Sequence, residues 1–285
     1  MKTKIMLTIL LAGLSFQMMA QTNDHTANQV IDKIKKAVTC PWLTETVDTF
    51  KAGNPDDKVT GVAVCMFADM ETLKEAVNQN CNLIVTHEPV FYSHLDATDP
   101  IKNDPVFAEK MRFIEKHKLI IWRFHDHWHM TSPDGISVGM IRKLGWEKHR
   151  TTPNRQLFTL PETSLKDLAS QLQELFKTNT LRIIGDPEMK FSRVAFSAGA
   201  PGGSRQIATL GQSDVEVLVA GEASEWETYM YANDARQQDK KKAVIFLGHI
   251  ASEEAGMEYC AEWLSDIIPS VPVAFIGNKE VFWIP

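Results

Sequence analysis

Asn82-Leu83-Ile84-Val85-Thr86-His87-Glu88-Pro89 is the stretch on which the reading of the chain turns. Its apolar half predicts a short buried strand that stops on two side chains able to hold a metal. Pro89 then prevents the ladder from continuing, because proline has no N–H to donate. In open α/β sheets, ligands bind in the crevice outside the carboxyl ends of the strands, which is where His87 and Glu88 fall. Taken alone, the same stretch also reads as an ordinary strand end with an exposed His and Glu.

The surroundings of this stretch set the fold class. Val59 to Met66 predicts a buried strand, Glu71 to Gln79 a helix and Cys81 to Thr86 the next strand, which together make a βαβ unit. A helix over 104–118 leads to another apolar strand, Leu119-Ile120-Ile121-Trp122-Arg123-Phe124, which ends on His125-Asp126-His127-Trp128-His129. A helix from Val30 to Val38 precedes all of this. The polar run Lys148 to Arg155 suggests a boundary, followed by a strand at 156–160, a helix at 164–176 opened by Ser164 with Asp167 three residues on, and strands at 181–184 and 193–197. Gly199-Ala200-Pro201-Gly202-Gly203-Ser204 comes next. It lacks the lysine and spacing of a phosphate loop and reads first as a plain tight turn. Strands at 215–220 and 243–247 follow, the second running into Gly248-His249 and then a helix from near Ser252 that carries Glu253. A last strand spans 271–276.

Composition bounds the function. The chain has 285 residues, 44% hydrophobic and 23% charged, enough for one or two domains with a substantial core. Lys2 and Lys4, the apolar run Ile5 to Phe16 and Ala20 before Gln21 form the three-part pattern of an export signal with cleavage after Ala20. The run is too short for a membrane span, so the mature protein is expected to be periplasmic or secreted, with no membrane partner. The net charge of −6, which loss of the two lysines makes more negative, argues against nucleic acid as a partner. Cys40, Cys65, Cys81 and Cys260 contain no CxxC pair, and Cys65 and Cys81 lie in apolar runs as buried small hydrophobes.

Six of the nine histidines fall in three loops just after predicted strands: His87 and His94, His125, His127 and His129, and His249. With Glu88 and Glu253 they supply the imidazoles and carboxylates that a two-metal site requires. Each lone His is otherwise a surface or satisfied core residue. Their convergence at neighbouring strand ends is what favours a metal site.

The sequence here resembles the Nif-three-like family, the GTP cyclohydrolase I type 2-like dinuclear metal-binding proteins. Those members carry Thr-His-His-Pro after one strand, His-Thr-Asn-Leu-Asp after another, and Gly-His, three residues, Glu, two residues, Gly near the C-terminus. The matching stretches are Thr86-His87-Glu88-Pro89, His125 to His129, and Gly248-His249-Ile250-Ala251-Ser252-Glu253-Glu254-Ala255-Gly256. The family's second His is Glu88 here and, in the ungapped register, its Asp is His129. The two changes offset each other, leaving three imidazoles and two carboxylates in His87, Glu88, His129, His249 and Glu253. The swap leaves open which carboxylate bridges the ions: Glu88, Glu253, or Asp126 in a shifted register.

The resemblance implies an α/β fold of two similar three-layer α/β/α domains with mixed sheets. Residues 26–148 plus 244–285 form the metal-binding domain after a signal at 1–20, and 149–243 are inserted as the second. It also implies a ring-like homo-oligomer and two divalent ions, with zinc, manganese and iron suited to mixed nitrogen and oxygen ligands. On that reading the ions activate water for attack on a small polar molecule, with His125 or His127, and Asp126 beside them, moving protons. A metal-handling protein without turnover is the alternative. An amidohydrolase-like barrel built on His125-x-His127 is weaker, since its eightfold βα repeat is missing.

Overall fold

The computed structural model of the chain describes residues 25–152 and 156–285. The expected export signal, residues 1–20, lies outside them. In order, the first part contains α1 (Ala27–Ala37), β1 (Phe50–Ala52), β2 (Val62–Cys65), α2 (Met70–Asn78), β3 (Leu83–Thr86), α3 (Pro105–Lys116), β4 (Ile120–Arg123), α4 (Asp126–Met130) and α5 (Gly135–Leu144). Then come β5 (Leu157–Ser164), α6 (Leu165–Phe176), β6 (Arg182–Ile184), β7 (Lys190–Ser197), α7 (Gly203–Leu210), β8 (Val217–Ala220), α8 (Met230–Gln237), β9 (Ala243–Phe246), α9 (His249–Ile267) and β10 (Val273–Phe275).

Two five-stranded mixed sheets organise these elements. The first runs β1-β4-β3-β2-β10, parallel except for β1, and the second runs β5-β7-β8-β9-β6 with antiparallel strands at both edges. In the first sheet Cys65, Thr86 and Arg123 stand side by side in register. The residues just beyond Thr86 and Arg123, His87 and Phe124, therefore leave the sheet at one common edge. Four helices start where the sequence supplies a cap: Thr26 with Gln29 closes a capping box on α1, Asp69 caps α2, Asp104 with Pro105 opens α3, and Ser164 accepts from the Asp167 N–H to open α6.

Both faces of the inner strands β2, β3, β4, β8 and β9 are covered, so these are buried along their whole length rather than alternating. Val62, Val64, Leu83, Val85, Ile120 and Trp122 turn toward the centre of the molecule, where they share one continuous core with Phe158, Val194, Val217 and Ile245 of the second sheet. Helices α1, α5, α6 and α9 contribute to that core. The outer faces pack separately, with Leu73 and Ile114 covering the first sheet and Leu210 and Ala232 the second. The α/β class and the two similar mixed-sheet domains are as expected.

The differences from expectation are local. Strand β1 and helix α8 carry too little periodic signal to be recognised, and α4 and α5 occupy what reads as a loop after β4. Helix α9 begins at His249 rather than near Ser252, which puts His249 and Glu253 one turn apart on it. Strand β9 hydrogen-bonds within the second sheet, so the chain passes to the first sheet only after Phe246, a few residues beyond the expected boundary at Ala243. All four cysteines are free thiols, with Cys65, Cys81 and Cys260 buried.

Helix α9 joins the sheets, and its contact with α5 depends on small residues. A Cβ on Gly139 would overlap the Ala255 carbonyl, and one on Gly256 would overlap Ile136. The Trp128 indole, buried beside them, donates to the Gly256 carbonyl. Replacing Gly139 with valine forces the helices apart in a packed core, an overpacking that costs about 1–3 kcal/mol. Urea denaturation of Gly139→Val is expected to show a lower midpoint that, multiplied by the m-value, gives that loss, and an unchanged midpoint would show that the helices have room to separate.

Candidate metal centre

His87 and Glu88 follow β3, where the chain leaves the sheet beneath helix α4. The ends of β3 and β4 are tied by the Phe124 N–H donating to the Thr86 carbonyl and by the Arg123 Nε–H donating to the His87 carbonyl. Helix α4 is only five residues long, and no side chain of its own caps it. Instead Asp48 lies across its start, accepting from the backbone N–H groups of His125, Asp126 and His127. That satisfies donors the first turn leaves orphaned and fixes the helix in rotation. His125 and His129, four residues apart, then face the same side.

Four imidazoles converge with the same polarity. His87 Nδ1 donates to the Phe124 carbonyl at 3.0 Å, and His125 Nδ1 lies 2.9 Å from Asp126, His129 Nδ1 3.2 Å from Asp134 and His249 Nδ1 3.1 Å from Glu222. With every Nδ1 engaged by an oxygen acceptor, every Nε2 is turned inward. His87 Nε2 lies 3.2 Å from His129 Nε2 and 3.5 Å from Glu253 Oε2. His249 Nε2 lies 3.3 Å from Glu253 Oε2 and 3.2 Å from Glu88 Oε1, and His125 Nε2 lies 3.7 Å from Glu88 Oε1. His129 Nε2 is 3.8 Å from Glu253 Oε1. His87 and His129, each engaged outward through Nδ1, bring their Nε2 atoms to 3.2 Å, a spacing that a cation between them would satisfy. Burial opposes charge on His129, but Asp134 holds it above the ordinary imidazole range.

The electrostatics agree. Burial holds the His87 ring well below the ordinary imidazole range, with the neighbouring His129 and His125 adding to the effect. Burial also disfavours charge on His249, but Glu222, Glu253 and Glu88 overcome this and take it up to about 12. The same cluster therefore leaves one ring neutral and draws positive charge to another, which is how a donor set behaves when a cation is wanted at its centre. Glu253 Oε2 is buried without a hydrogen-bond partner, and the groups His87–His125–His129 and His87–Glu88–Glu253 each have ligand atoms close enough to hold an ion. These buried His and Glu clusters fit metal ions.

The chain brings together His87, Glu88, His129, His249 and Glu253, all named from the sequence. His125 joins them with its Nε2 in the cluster. Asp126 does not: Thr46 and the Val47 N–H donate to one of its oxygens and His125 occupies the other, so it stands behind His125 and orients it. Burial raises and these hydrogen bonds lower its carboxyl, to a net value of about 2. His127, expected as a proton shuttle, is placed elsewhere. Its Nδ1 is 2.6 Å from Asp48, its Nε2 accepts from the Leu43 N–H, and Trp42 stacks on its ring at 3.5 Å, so both nitrogens are used away from the cluster.

Three contributors escape the sequence reading. Asp48 lies 77 residues before His125 and gives no signal. Glu222, at the end of β8, holds His249 from the second sheet. Arg123 was visible as a charge inside an apolar strand: it is fully buried, with NH2 3.5 Å from Glu88 Oε2. A buried charge has to be paired, and that rule could have linked it to Glu88.

The glycine turn supports the site instead of cradling a phosphate. Gly199, at φ +59°, donates its N–H to Ser252 Oγ, and a Cβ there would overlap Glu253 Oε1.

Comparison with known proteins follows the same lines. A family model described as Duf34/NIF3 (NGG1p interacting factor 3) matches residues 25–280. A GTP cyclohydrolase 1 type 2 homolog from Chlamydia pneumoniae is 24% identical over 256 residues, covering 81% of this chain and 89% of its own. A protein of the same name from Clostridium acetobutylicum is 24% identical over 212 residues, covering 70% and 75%. Among solved structures, a Bacillus cereus protein related to NIF3 superposes with a TM-score of 0.73 at 14% identity, covering 93% of this chain and all of that one. At that identity the likeness is one of fold.

Gly199→Ala is expected to displace the Glu253 carboxylate and to strain a left-handed backbone position, so metal uptake should fall sharply while far-ultraviolet circular dichroism stays native. Elemental analysis of the purified variant checks this. Wild-type metal content in Gly199→Ala would show that Glu253 is not held by that turn.

Proposed function

The chain belongs to the Duf34/NIF3 family, and from that premise we propose that it is an exported, dinuclear-metal-dependent hydrolase acting on a small polar substrate. Glu253 carries the reading: a buried carboxylate whose Oε2 lacks a hydrogen bond yet has the His87 and His249 Nε2 atoms at 3.5 and 3.3 Å, with His129 at 3.8 Å from Oε1. His87, Glu88, His129, His249 and Glu253 would hold the ions, with Glu253 within reach of all three imidazoles. Zinc, manganese and iron match such mixed donors. When bound, a pair of divalent ions polarises a carbonyl, amidine or phosphoryl group and lowers the pKa of water toward neutrality.

The chain's own side chains supply the rest. Burial keeps His125 below the ordinary imidazole range despite its bond to Asp126, so the ring is neutral at pH 7 and able to accept a proton at Nε2. Asp126, anchored by Thr46 and Val47, keeps that nitrogen turned toward the cluster. Glu222 does the same for His249.

A protein that only stored metal would need the same ligands but no room for a substrate. Here a cleft of about 390 Å³ has Glu88 and His249 in its wall, and a larger one of about 790 Å³ shares His249 and Glu222 with it. The cyclohydrolase name of the relatives describes addition of water to a ring carbon, a reaction of this class. For an exported protein, a cyclic amide or nucleotide-like compound is a better candidate than cellular GTP. A ring-like homo-oligomer belongs to the same proposal.

Elemental analysis is expected to find close to two ions per chain, and Glu253→Ala should lose both the second ion and all activity in a hydrolase panel. Because metal must displace the proton that three carboxylates favour on His249, affinity should rise with pH. Calorimetry in buffers of different ionisation enthalpy should show about one proton released per chain at pH 7. No metal after reconstitution, or a Glu253→Ala variant with full content, would contradict the reading.

Export makes an independent prediction. The protein isolated from cells should begin at Gln21 by N-terminal sequencing, and a protein that still begins at Met1 would rule export out.

A further inference from the structure

The cleft of about 390 Å³ beside Glu88 and His249 has, in its wall, a lysine that the hydrolytic reading leaves unexplained. Lys110 projects from α3 and is 96% buried, since only 4% of its surface is exposed. A lysine almost never occupies such a place unless its charge is engaged. Its ammonium donates to the Val90 carbonyl at 2.7 Å and lies 5.4 Å from the Tyr92 ring and 5.9 Å from the Phe91 ring. One of its three donors is therefore used, in a site walled by two aromatic faces. Burial lowers its pKa to about 8, against the pull of Asp69, Cys65 and Asp96, so the group still carries its charge at neutral pH.

The loop that shapes this wall is held in an unfavourable conformation. Tyr92 has φ +63° and Asp96 φ +54°, left-handed positions that non-glycine residues seldom take. The Asp96 carboxylate compensates by accepting from the Val90 and Phe91 N–H groups. Tyr92, Ser93 and Lys110 line the same cleft, and the Ser93 hydroxyl, which accepts from the Ala97 N–H, keeps its own O–H to donate. The acids in that wall are already engaged: Asp69 by the Thr72 N–H and Asn278, Glu88 by His249 and Arg123, and Glu222 by His249.

We propose that Lys110, with the hydroxyls of Tyr92 and Ser93, is the subsite for an oxyanion group of the substrate, so that the hydrolase acts on small anionic molecules bearing a phosphate or a carboxylate. The proposal rests on the hydrolytic reading of the adjacent metal centre and narrows its substrate class. An anion anchored at Lys110 has its remaining atoms beside Glu88 and His249. A buried ammonium with unspent donors is well suited to it, because charge-assisted hydrogen bonds strengthen away from water.

The test is calorimetric binding of inorganic phosphate and of acetate to the protein as purified, with metal content measured on the same samples. Lys110→Met keeps the length and apolar stem of the side chain and removes its charge, and Lys110→Arg keeps the charge. The affinity of one anion should fall about 10-fold or more in Lys110→Met and be largely retained in Lys110→Arg, with metal content equal to wild type in both. Whichever anion shows this dependence identifies the group as phosphate or carboxylate. Equal affinity in wild type and Lys110→Met, no binding of either anion by wild type, or loss of metal from Lys110→Met would overturn the proposal. A wild type that holds no metal yet binds the anion through Lys110 would instead refute the metal reading and leave the anion subsite standing.

Discussion

Four imidazoles share one constraint: an oxygen acceptor behind each Nδ1. Phe124 supplies a carbonyl for His87, and Asp126, Asp134 and Glu222 supply carboxylates for His125, His129 and His249. These acceptors come from β4, α4, the cap of α5 and the end of β8, so the orientation of the cluster is built into elements of both sheets. Asp134 shows how closely fold and site are coupled. One of its oxygens caps α5 by accepting from the Ser137 N–H, and the other orients His129. Helix α9 closes the arrangement by carrying His249 and Glu253 on successive turns while it packs between the sheets.

The carboxylate at position 88 and the imidazole at position 129 each have a structural counterpart. A carboxylate at Glu88 brings negative charge to a buried strand end, and Arg123 in the neighbouring strand meets it at 3.5 Å. Arg123 is in turn 3.8 Å from Asp96, which Lys51 approaches at 3.3 Å. Desolvating such charges is expensive unless they are paired on more than one side, and this chain of alternating sign supplies that. At the other position, a histidine reaches further than an aspartate. His129 spans the distance from α4 to the edge of His87 with Asp134 steadying its far nitrogen.

Much of this was legible from residues 82–89, 125–129 and 248–256. The inner strands of the two sheets announced themselves as apolar runs because both their faces are buried, and the metal-competent residues stood at the ends of three of them. The short helix α4 was not legible, since Asp126-His127-Trp128-His129 has no apolar periodicity and its cap is supplied by Asp48 from far away in the chain. That is also why His127 could be assigned to the site. Sequence proximity put it among the ligands, whereas a rotation of two residues along a helix turned it into the core against Trp42 and Asp48. Glu222 escaped for the converse reason, because it reaches the centre from the second sheet and no local pattern connects it with His249.

The central proposal is that Glu253 would serve two metal ions held in one centre. Electron paramagnetic resonance of the protein loaded with manganese(II) tests it most directly, since ions bridged by one carboxylate are close enough to couple magnetically. The account predicts the broad spectrum of an exchange-coupled pair at two ions per chain. A six-line spectrum of isolated manganese at every loading would contradict it.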